Sequence, residues 1–448
     1  MSTISMPGVA LNEALPGYGP VEIATIGDSN FRAMFTLAPN GAVGQNTFMQ
    51  GAGPASHVQS RLRGRARFSA DLCFAQNGAT IANLVTSQIP ALLQSRQKAL
   101  QTRVVMLMIG TNNASGWTNA TTQAADKAAL LSGIKDLLAA GWQVLVLTGT
   151  ARGTTYFTGV RLTGASLSLW HDYNHWLVSH VGLLPGVRVV DLFAQSAMPN
   201  SAEGDMNPGY TVDGLHLNAK FWHDVSGQIA AELEPWLGSP RYRTAVGASD
   251  TYHATNNPAG NLSSNALATG SDGTVPAGYA GTLPTGWTIE SYGMSGINQI
   301  LSIVTDAEGT RWVQLTLSGT TSTGSQIVQI RPPQDHAPLG SAGGDLIQLI
   351  ALAEIAPGFT GIENFDFHCG AGSPNGGDDG LIEFGSGGEL PAGDYTGANA
   401  LFAITPDCRV PPNSWGLVCG WRITCKPSSS VSLTVRLGRP AIRRANVY

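Results

Sequence analysis

The chain has 448 residues, of which 43% are hydrophobic and only 12% are charged, and it carries 55 glycines and a formal net charge of −5. A chain of this length exceeds one ordinary hydrophobic core, so we expect two or three domains, at least one of them rich in turns and strands. The negative charge gives no reason to expect nucleic-acid binding.

Three further classes are disfavoured by the sequence. The first twenty residues lack a basic stretch followed by an apolar one, so no secretory signal is expected. No window of about 18 apolar residues predicts a membrane span. The five cysteines lack the paired CxxC spacing of a zinc site, and a disulfide among Cys408, Cys419 and Cys425 stays open.

Residues 21 to 237 alternate between short apolar runs and helical patterns. The runs that predict strands are 21–26, 71–75, 104–109, 142–148 and 187–193. The patterns that predict helices are 81–100, 122–141, 166–181 and 219–237. Because the runs are apolar on both faces, they are typical of buried parallel strands. We therefore predict an α/β fold of three layers with a parallel five-stranded sheet, whose ligands bind at the carboxyl ends of the strands.

The sequence pattern of the chain changes after residue 240. Turn-rich sequence is followed by alternating runs at 311–319, 325–332, 345–355, 415–426 and 430–438. Strands at this spacing, separated by glycine and proline, predict an all-β, jelly-roll-like sandwich. We accordingly divide the chain into an N-terminal extension (1–20), an α/β domain (21–240), a linker (241–260) and a β-sandwich domain (261–448).

Ser29 follows the first predicted strand within the sequence Gly27-Asp28-Ser29-Asn30. A serine hydroxyl becomes a strong nucleophile only beside an imidazole that takes its proton, and the imidazole needs a carboxylate to fix its tautomer. Asp213 and His216 stand three residues apart just before the last helix, where a turn can aim both at the sheet edge. Taken alone, Ser29 has an ordinary alternative explanation as a helix N-cap.

An ester-cleaving serine also needs hydrogen-bond donors for the oxyanion. Gly78 follows the second predicted strand and offers a backbone N–H that a substrate can approach closely. Asn112 follows the third strand and offers a side-chain amide. These two residues are the candidate partners of the Ser29 N–H in an oxyanion hole.

Taken together, these segments resemble the four sequence blocks of the SGNH (GDSL-type) hydrolase family, in the same order, over about residues 20–237. The resemblance implies a flavodoxin-like sheet and hydrolysis of esters without a metal or organic cofactor. It also implies that Ser29, Asp213 and His216 are catalytic, and that Ser29, Gly78 and Asn112 form the oxyanion hole. The chain has no G-x-S-x-G elbow, because Phe31 occupies the last position, which disfavours the α/β-hydrolase fold.

Four further residues beside these blocks are candidates for substrate binding. Asn30 replaces the family's leucine and Asn113 its aspartate, so both bear on substrate fit and on support of the site. Asp28 adjoins the nucleophile, and Tyr210 lies in the segment that leads into Asp213.

Weaker patterns have ordinary structural explanations. The alternating Arg61, Arg63, Arg65 and Arg67 favour a charged edge strand over an anion site. The glycine-rich segment around Asp378 and Asp379 does not have EF-hand spacing, and calcium binding there stays open. Trp287, Trp312, Trp415 and Trp421 include a possible sugar-stacking platform, although tryptophans of a sandwich usually lie in its core.

The stretch GTLPTGW (281–287) and the strands after it resemble jelly-roll modules of bacteriophage tail proteins. Together the two resemblances imply an esterase that removes O-acetyl groups from a bacterial surface polysaccharide. They also imply a virion location, otherwise a cytoplasmic one, and a homotrimer or other tail components as partners. A non-catalytic glycan-binding tail protein and a lipase-like esterase are the alternatives.

Overall fold

The fold is that of a computed structural model. It describes residues 21–32, 53–62, 65–95, 102–152, 159–201, 203–211, 213–237, 247, 250–258, 260–324, 326–335, 339, 344–372, 379–384, 390, 392–397, 400–405 and 408–444. No helix in these ranges is both long enough and apolar enough to cross a bilayer. The predicted extension 1–20 lies outside them, and the predicted domain bounds stay a prediction.

The N-terminal part is built on a five-stranded sheet with the order β2-β1-β3-β4-β5, in which every pair is parallel. The strands are β1 (Val21–Gly27), β2 (Ala66–Cys73), β3 (Val104–Met108), β4 (Gln143–Leu147) and β5 (Val187–Val190). This order is that of flavodoxin-like sheets, so the predicted three-layer α/β fold is confirmed.

Helices cover both faces of this sheet. They are α1 (Ser29–Arg32), α2 (Pro54–Arg61), α3 (Ile81–Asn83), α4 (Ile89–Leu93), α5 (Thr111–Ala114), α6 (Ala120–Ala139), α7 (Gly164–Ser179), α8 (Leu192–Ser196) and α9 (Ala219–Leu233). Alternate residues of β1 enter different cores: Ile23 packs on the side of α2 and α9, whereas Ala24 and Ile26 pack on the side of α6 and α7. The apolar character of both strand faces follows from this double cover.

Two local differences from the sequence prediction matter. The predicted helix 81–100 is interrupted by a π-helical turn, Leu84–Gln88, which joins α3 to α4. The second strand begins at Ala66 rather than at residue 71, and it lies at the sheet edge. Arg61 belongs to α2, so the predicted run of edge-strand arginines is wrong at that position, while Arg63 lies outside the described residues.

The C-terminal part consists of two packed sheets, as the sequence predicted. One has the order β13-β12-β16-β10-β7, and the other the order β14-β11-β17-β9-β8-β6, with β15 paired to β11. The strands are β6 (Tyr279–Gly281), β7 (Thr288–Tyr292), β8 (Ile297–Thr305), β9 (Arg311–Thr320), β10 (Gln326–Arg331), β11 (Leu346–Ile355), β12 (Ile362–Gly372), β13 (Asp379–Glu383), β14 (Leu401–Ile404), β15 (Cys408–Arg409), β16 (Gly416–Cys425) and β17 (Ser430–Arg444). One core between the sheets holds Phe365 and Trp421 of the first with Leu315 and Val435 of the second. The jelly-roll resemblance stays a prediction.

The two parts touch through α2 and β14. The amide of Gln59 approaches the carbonyl oxygens of Ile404 and Thr405 at 3.4 Å each, and the N–H of Ile404 donates to the Ser60 hydroxyl at 3.2 Å. The sandwich is therefore held against the helical face of the α/β part that contains α2 and α9.

Candidate active site

The turn after β1 is shaped by Gly27 and Asp28. A Cβ atom at Gly27, whose φ is +147°, would lie 2.0 Å from the carbonyl oxygen of Met108 on β3, so only glycine lets the two strands approach this closely. Asp28 then caps α1, because its Oδ1 accepts the N–H of Asn30 at 3.0 Å. Ser29 is thereby the first residue of a short helix at the carboxyl edge of the sheet.

Ser29, His216 and Asp213 form one hydrogen-bonded chain. The Nε2 atom of His216 lies 2.9 Å from the Ser29 Oγ, and its Nδ1 atom lies 2.7 Å from the Asp213 Oδ2. Because a carboxylate accepts hydrogen bonds, the proton belongs on Nδ1, which leaves Nε2 free to accept from the serine hydroxyl. The structure thus joins residues that lie 187 positions apart in the chain.

The turn that presents Asp213 and His216 is held by hydrogen bonds within itself. The hydroxyl of the buried Thr211 donates to the His216 carbonyl at 2.7 Å and accepts the N–H of Gly214 at 2.9 Å. Partial burial raises the pKa of the Asp213 carboxyl, but the backbone and ring N–H groups of His216 and the N–H of Leu215 lower it more, with a net fall below the ordinary value. Asp213 is therefore anionic at neutral pH, as an orienting carboxylate must be.

Asn112 contacts the residue that follows Gly78. Asn112 Nδ2 donates to the carbonyl of Ala79 at 2.9 Å, which ties α5 to the loop after β2 and leaves its second N–H. A Cβ at Gly78 would meet nothing within 4 Å, so this backbone faces open space. Neither the Ser29 N–H nor the Gly78 N–H donates to any residue that the structure describes. Both remain available to a substrate oxygen.

Arg152 supports the helix that carries Asn112, a role that no sequence pattern indicated. The buried guanidinium donates to the carbonyl of Thr111 at 2.7 Å and also binds the carbonyl of Val160. Burial lowers the pKa of Arg152, whereas the charge of Asp28 raises it. The arginine therefore stabilises both the start of α5 and the carboxyl beneath the nucleophile.

Gln88 is a second residue that sequence reasoning missed. It lies at the end of the π-helical turn, and its side chain is buried beneath the nucleophile turn. Its Oε1 accepts the N–H of Gly27 at 2.7 Å, and its Nε2 donates to the carbonyl of the same residue at 2.9 Å. Because π-helical turns are frequent at functional sites, this turn marks Gln88 in the structure, whereas no pattern in the sequence did.

We expect Gln88→Leu to lower kcat for p-nitrophenyl acetate by about 10²-fold with little change in KM, because small displacements of a nucleophile are costly. Reaction of Ser29 with a fluorophosphonate should slow in parallel. Gln123→Leu is the matched control, since Gln123 is also a buried glutamine but binds the Leu169 carbonyl, far along the chain from the nucleophile turn. Equal losses in the two variants would contradict a positioning role for Gln88.

Asp28 is 1% exposed, and its Oδ2 makes no hydrogen bond to a described residue. Burial raises the pKa of this carboxyl to about 6, although the N–H of Asn30 and the charges of His216 and Arg152 oppose the rise. The folded protein therefore holds the Asp28 proton more tightly than the unfolded chain does. This difference costs stability above pH 6 and vanishes as the pH falls toward 4.

Asp28→Asn should accordingly raise the midpoint of thermal unfolding at pH 8, with a gain that shrinks as the pH falls below 6. Circular-dichroism melts at pH 4.5 and pH 8 measure the difference. Asp136→Asn, which removes an exposed carboxylate of α6, controls for the change in net charge. A gain of the same size at both pH values would show that the Asp28 carboxyl carries no such penalty.

The other candidate substrate residues are engaged within the protein. Asn30 is buried, and its Oδ1 accepts the N–H of Leu217 at 3.2 Å, next to His216. Asn113 accepts the N–H of Ile81 at 3.0 Å and donates to Asp126 at 2.9 Å.

Tyr210 also has a partner within the protein, because its hydroxyl donates to Asp224 at 3.0 Å. Burial, followed by the Asp224 charge, raises the pKa of Tyr210 to about 12. The tyrosine therefore stays protonated at neutral pH and keeps this hydrogen bond to α9.

Within the described ranges, no cluster of three or more His, Cys, Asp or Glu side chains is arranged to hold a metal ion. Asp378 lies outside those ranges, and of Asp379 only the backbone in β13 is described.

No curated protein sequence matches the chain. Among solved structures, an acetylxylan esterase from Geobacillus stearothermophilus is 16% identical over 50% of this chain and 99% of its own, with a TM-score of 0.33. A GDSL-like lipase from Bacteroides thetaiotaomicron is 12% identical over 48% and 86%, with a TM-score of 0.32. A carbohydrate esterase of family 3 from Talaromyces cellulolyticus is 16% identical over 48% and 97%, with a TM-score of 0.31.

The model of the GDSL-like lipase/acylhydrolase family matches residues 26–221. The match spans the nucleophile turn, the loop after β2, α5 and the turn before α9, which are the segments that meet at the site. Residues 26–221 of this chain are thus a GDSL-like lipase/acylhydrolase domain, and the activity that goes with it is hydrolysis of acyl esters.

Proposed function

We propose that the protein is a serine esterase that removes O-acetyl groups from a bacterial surface polysaccharide. The observation that carries the catalytic part is the 2.9 Å contact between His216 Nε2 and Ser29 Oγ, with Asp213 on the other ring nitrogen. This is the arrangement that turns a serine hydroxyl into a nucleophile.

In the proposed reaction His216 takes the Ser29 proton while Oγ forms a bond to the acetyl carbon. The tetrahedral intermediate collapses as the imidazolium returns its proton to the departing sugar oxygen, which leaves an acetyl-serine. Water then attacks that ester with His216 again as base, and acetate leaves as Ser29 recovers its proton. Asp213 stabilises the imidazolium in both halves of the reaction.

The oxyanion of each intermediate is assigned to three donors. They are the N–H groups of Ser29 and Gly78 and the amide of Asn112. The backbone of Gly78 faces open space, and the hydrogen bond from Asn112 to the Ala79 carbonyl holds the amide next to the Gly78 loop. Donors held in place before the reaction lower the barrier because they need no reorganisation during it.

We assign Asp28, Asn30 and Asn113 to support of the site rather than to substrate binding. Asn30 connects the nucleophile turn to the backbone next to His216, and Asn113 connects α5 to the start of α3. Tyr210 braces α9 through Asp224. Each of these side chains directs its hydrogen bonds toward the protein, which leaves the substrate to other groups.

An exposed aromatic ring supports a glycan as the substrate. Trp415 precedes β16 and is 68% exposed, whereas Trp287, Trp312 and Trp421 are buried. Its indole lies so close to Gly372 that a Cβ there would come within 2.3 Å of the ring. A fixed, exposed indole offers the flat apolar surface on which sugar rings stack. A β-sandwich that binds glycan next to an esterase domain suits a phage tail or tailspike protein. We also propose that the protein forms a homotrimer or binds other tail components.

Asn112→Ala should lower kcat for p-nitrophenyl acetate by ~10²-fold or more with a small effect on KM, because an oxyanion donor acts mainly in the transition state. Asn119→Ala is a useful control, since Asn119 is an asparagine that caps α6 and is exposed. An effect of Asn112→Ala confined to KM would instead make this residue a binding group.

The test of the proposed function is release of acetate from native bacterial capsule or lipopolysaccharide, followed by NMR. We expect release by the wild-type protein and none by Ser29→Ala. A series of p-nitrophenyl esters of increasing chain length runs beside it. Preference for long acyl chains would favour the lipase alternative, and binding of glycan without acetate release would favour the non-catalytic one.

A further inference from the structure

The residue that ends the nucleophile helix is a cation that faces a groove. Ser29 and Arg32 stand at positions i and i+3 of α1, so their side chains lie on neighbouring positions of one helix face, with Cβ atoms about 5–6 Å apart. Arg32 lines a groove of about 460 Å³ that also borders the loop leading to Gly78. This volume falls in the ~300–1,000 Å³ range of small-molecule sites.

Among the described residues, no carboxylate pairs with Arg32. Its contact within the described ranges is with the thiol of Cys73, and burial raises the pKa of that thiol, so the neutral thiol does not compensate the guanidinium charge. The nearest acid along the chain, Asp28, interacts instead with His216 and Arg152. In a protein with a net charge of −5, an arginine on the nucleophile helix that has no acidic partner in the described part of the chain attracts an anion.

The rest of the groove is polar and shallow. Gln76, Asn77 and Ser87 contribute exposed hydrogen-bonding side chains, and Phe74 is the aromatic residue among its walls. An acyl chain of a lipid would require a deeper apolar slot, whereas the hydroxyl groups of a sugar match amide and hydroxyl partners. The guanidinium adds a planar pair of donors that fits a carboxylate.

We propose that the groove lined by Arg32, Gln76 and Asn77 binds an acidic sugar of the substrate, with the guanidinium on its carboxylate. This inference rests on the proposed esterase function and specifies its substrate as an acetylated acidic glycan. The acetyl group to be removed then lies on the same residue as the carboxylate or on the next one, within reach of Ser29.

The test compares acetate release from O-acetylated galacturonan oligosaccharides, which are acidic, with release from acetylated xylo-oligosaccharides, which are neutral. We expect Arg32→Gln to reduce the ratio of kcat/KM for the acidic over the neutral substrate by tenfold or more. Arg32→Lys should retain part of the preference, because lysine keeps the positive charge but lacks the planar pair of donors of the guanidinium. Lys135→Gln, which removes an exposed cation of α6, should leave both activities unchanged. An unchanged ratio in a folded Arg32→Gln protein overturns the inference.

A second measurement separates this inference from the proposed function. Galacturonate is tested against galactose as a competitive inhibitor of p-nitrophenyl acetate hydrolysis. Stronger inhibition by galacturonate that disappears in Arg32→Gln supports the anion site. If neither glycan is deacetylated in the first experiment, this result still supports the anion site, and only the proposed glycan substrate fails. Equal inhibition by the two sugars contradicts the anion site. If hydrolysis of a lysophospholipid depends on Arg32 whereas inhibition by the two sugars does not, the bound anion is a lipid phosphate and the inference is overturned.

Discussion

Ser29→Ala is expected to reduce kcat for p-nitrophenyl acetate by about 10⁴- to 10⁶-fold, because no other group in the site forms the covalent intermediate. The residual rate comes from water activated by His216 beside the intact oxyanion donors. The substitution should not unfold the protein, since the Ser29 hydroxyl bonds only to His216 among the described residues and alanine suits a helix.

Three measurements complete this experiment. Steady-state kinetics give the loss, a thermal melt shows that the fold is retained, and mass spectrometry after treatment with a fluorophosphonate shows one adduct in the wild type and none in the variant. Ser132→Ala is the matched control, because Ser132 is an exposed serine of α6. Wild-type turnover by Ser29→Ala would end the assignment of Ser29 as the nucleophile.

Asp213→Asn should reduce kcat by about 10⁴-fold while the site keeps its shape. Oδ1 of Asp213 accepts the N–H groups of Leu215 at 2.9 Å and His216 at 2.8 Å, and an asparagine oxygen can keep both bonds. The amide nitrogen then faces Nδ1 of His216 and forces the ring proton onto Nε2. In that tautomer the ring cannot accept the Ser29 proton.

The chain contains a natural control for this substitution. His223 and Asp224 form a second histidine–aspartate pair, at 3.3 Å, in the second turn of α9. Asp224 also accepts hydrogen bonds from Lys220 and Tyr210, and the Nε2 atom of His223 faces Arg61 instead of a serine hydroxyl. Asp224→Asn should therefore leave kcat within a few-fold of wild type, and a loss as large as that of Asp213→Asn would argue for a general effect on α9 instead of tautomer control.

The fold was predictable where strands are apolar on both faces. β1, β3, β4 and β5 each begin or end within a few residues of their predicted bounds, because burial beneath helices on both sides demands continuous apolar sequence. The edge strand β2 was placed too late, because its first residues, Ala66-Arg67-Phe68, alternate and include a charge. All three residues are nevertheless buried, so it is the charged Arg67 within the strand that hides it from a pattern of continuous apolar sequence.

The residues of the candidate site were also predictable only in part. Ser29, Gly78, Asn112, Asp213 and His216 were identifiable because each follows a strand end or precedes the last helix, and the parallel topology brings such positions to one edge. Gln88 and Arg152 were not, because their partners are backbone atoms of Gly27 and Thr111. A bond to backbone leaves no mark on the identity of the partner residue.

The amino-acid sequence by itself determined the two-part architecture, the order of the α/β elements and the set of reactive side chains, since hydrophobic period and chemical type are local properties. Only the tertiary structure decided which polar residues turn inward: it made Asn30 and Asn113 ties between loops, buried Asp28 beneath the nucleophile and left Arg32 facing a groove. The physical reason is that the partner of a polar side chain is set by the packing of distant segments. Residues with the same tendency to bind water therefore end in protein contacts or in open space according to what the fold places opposite them.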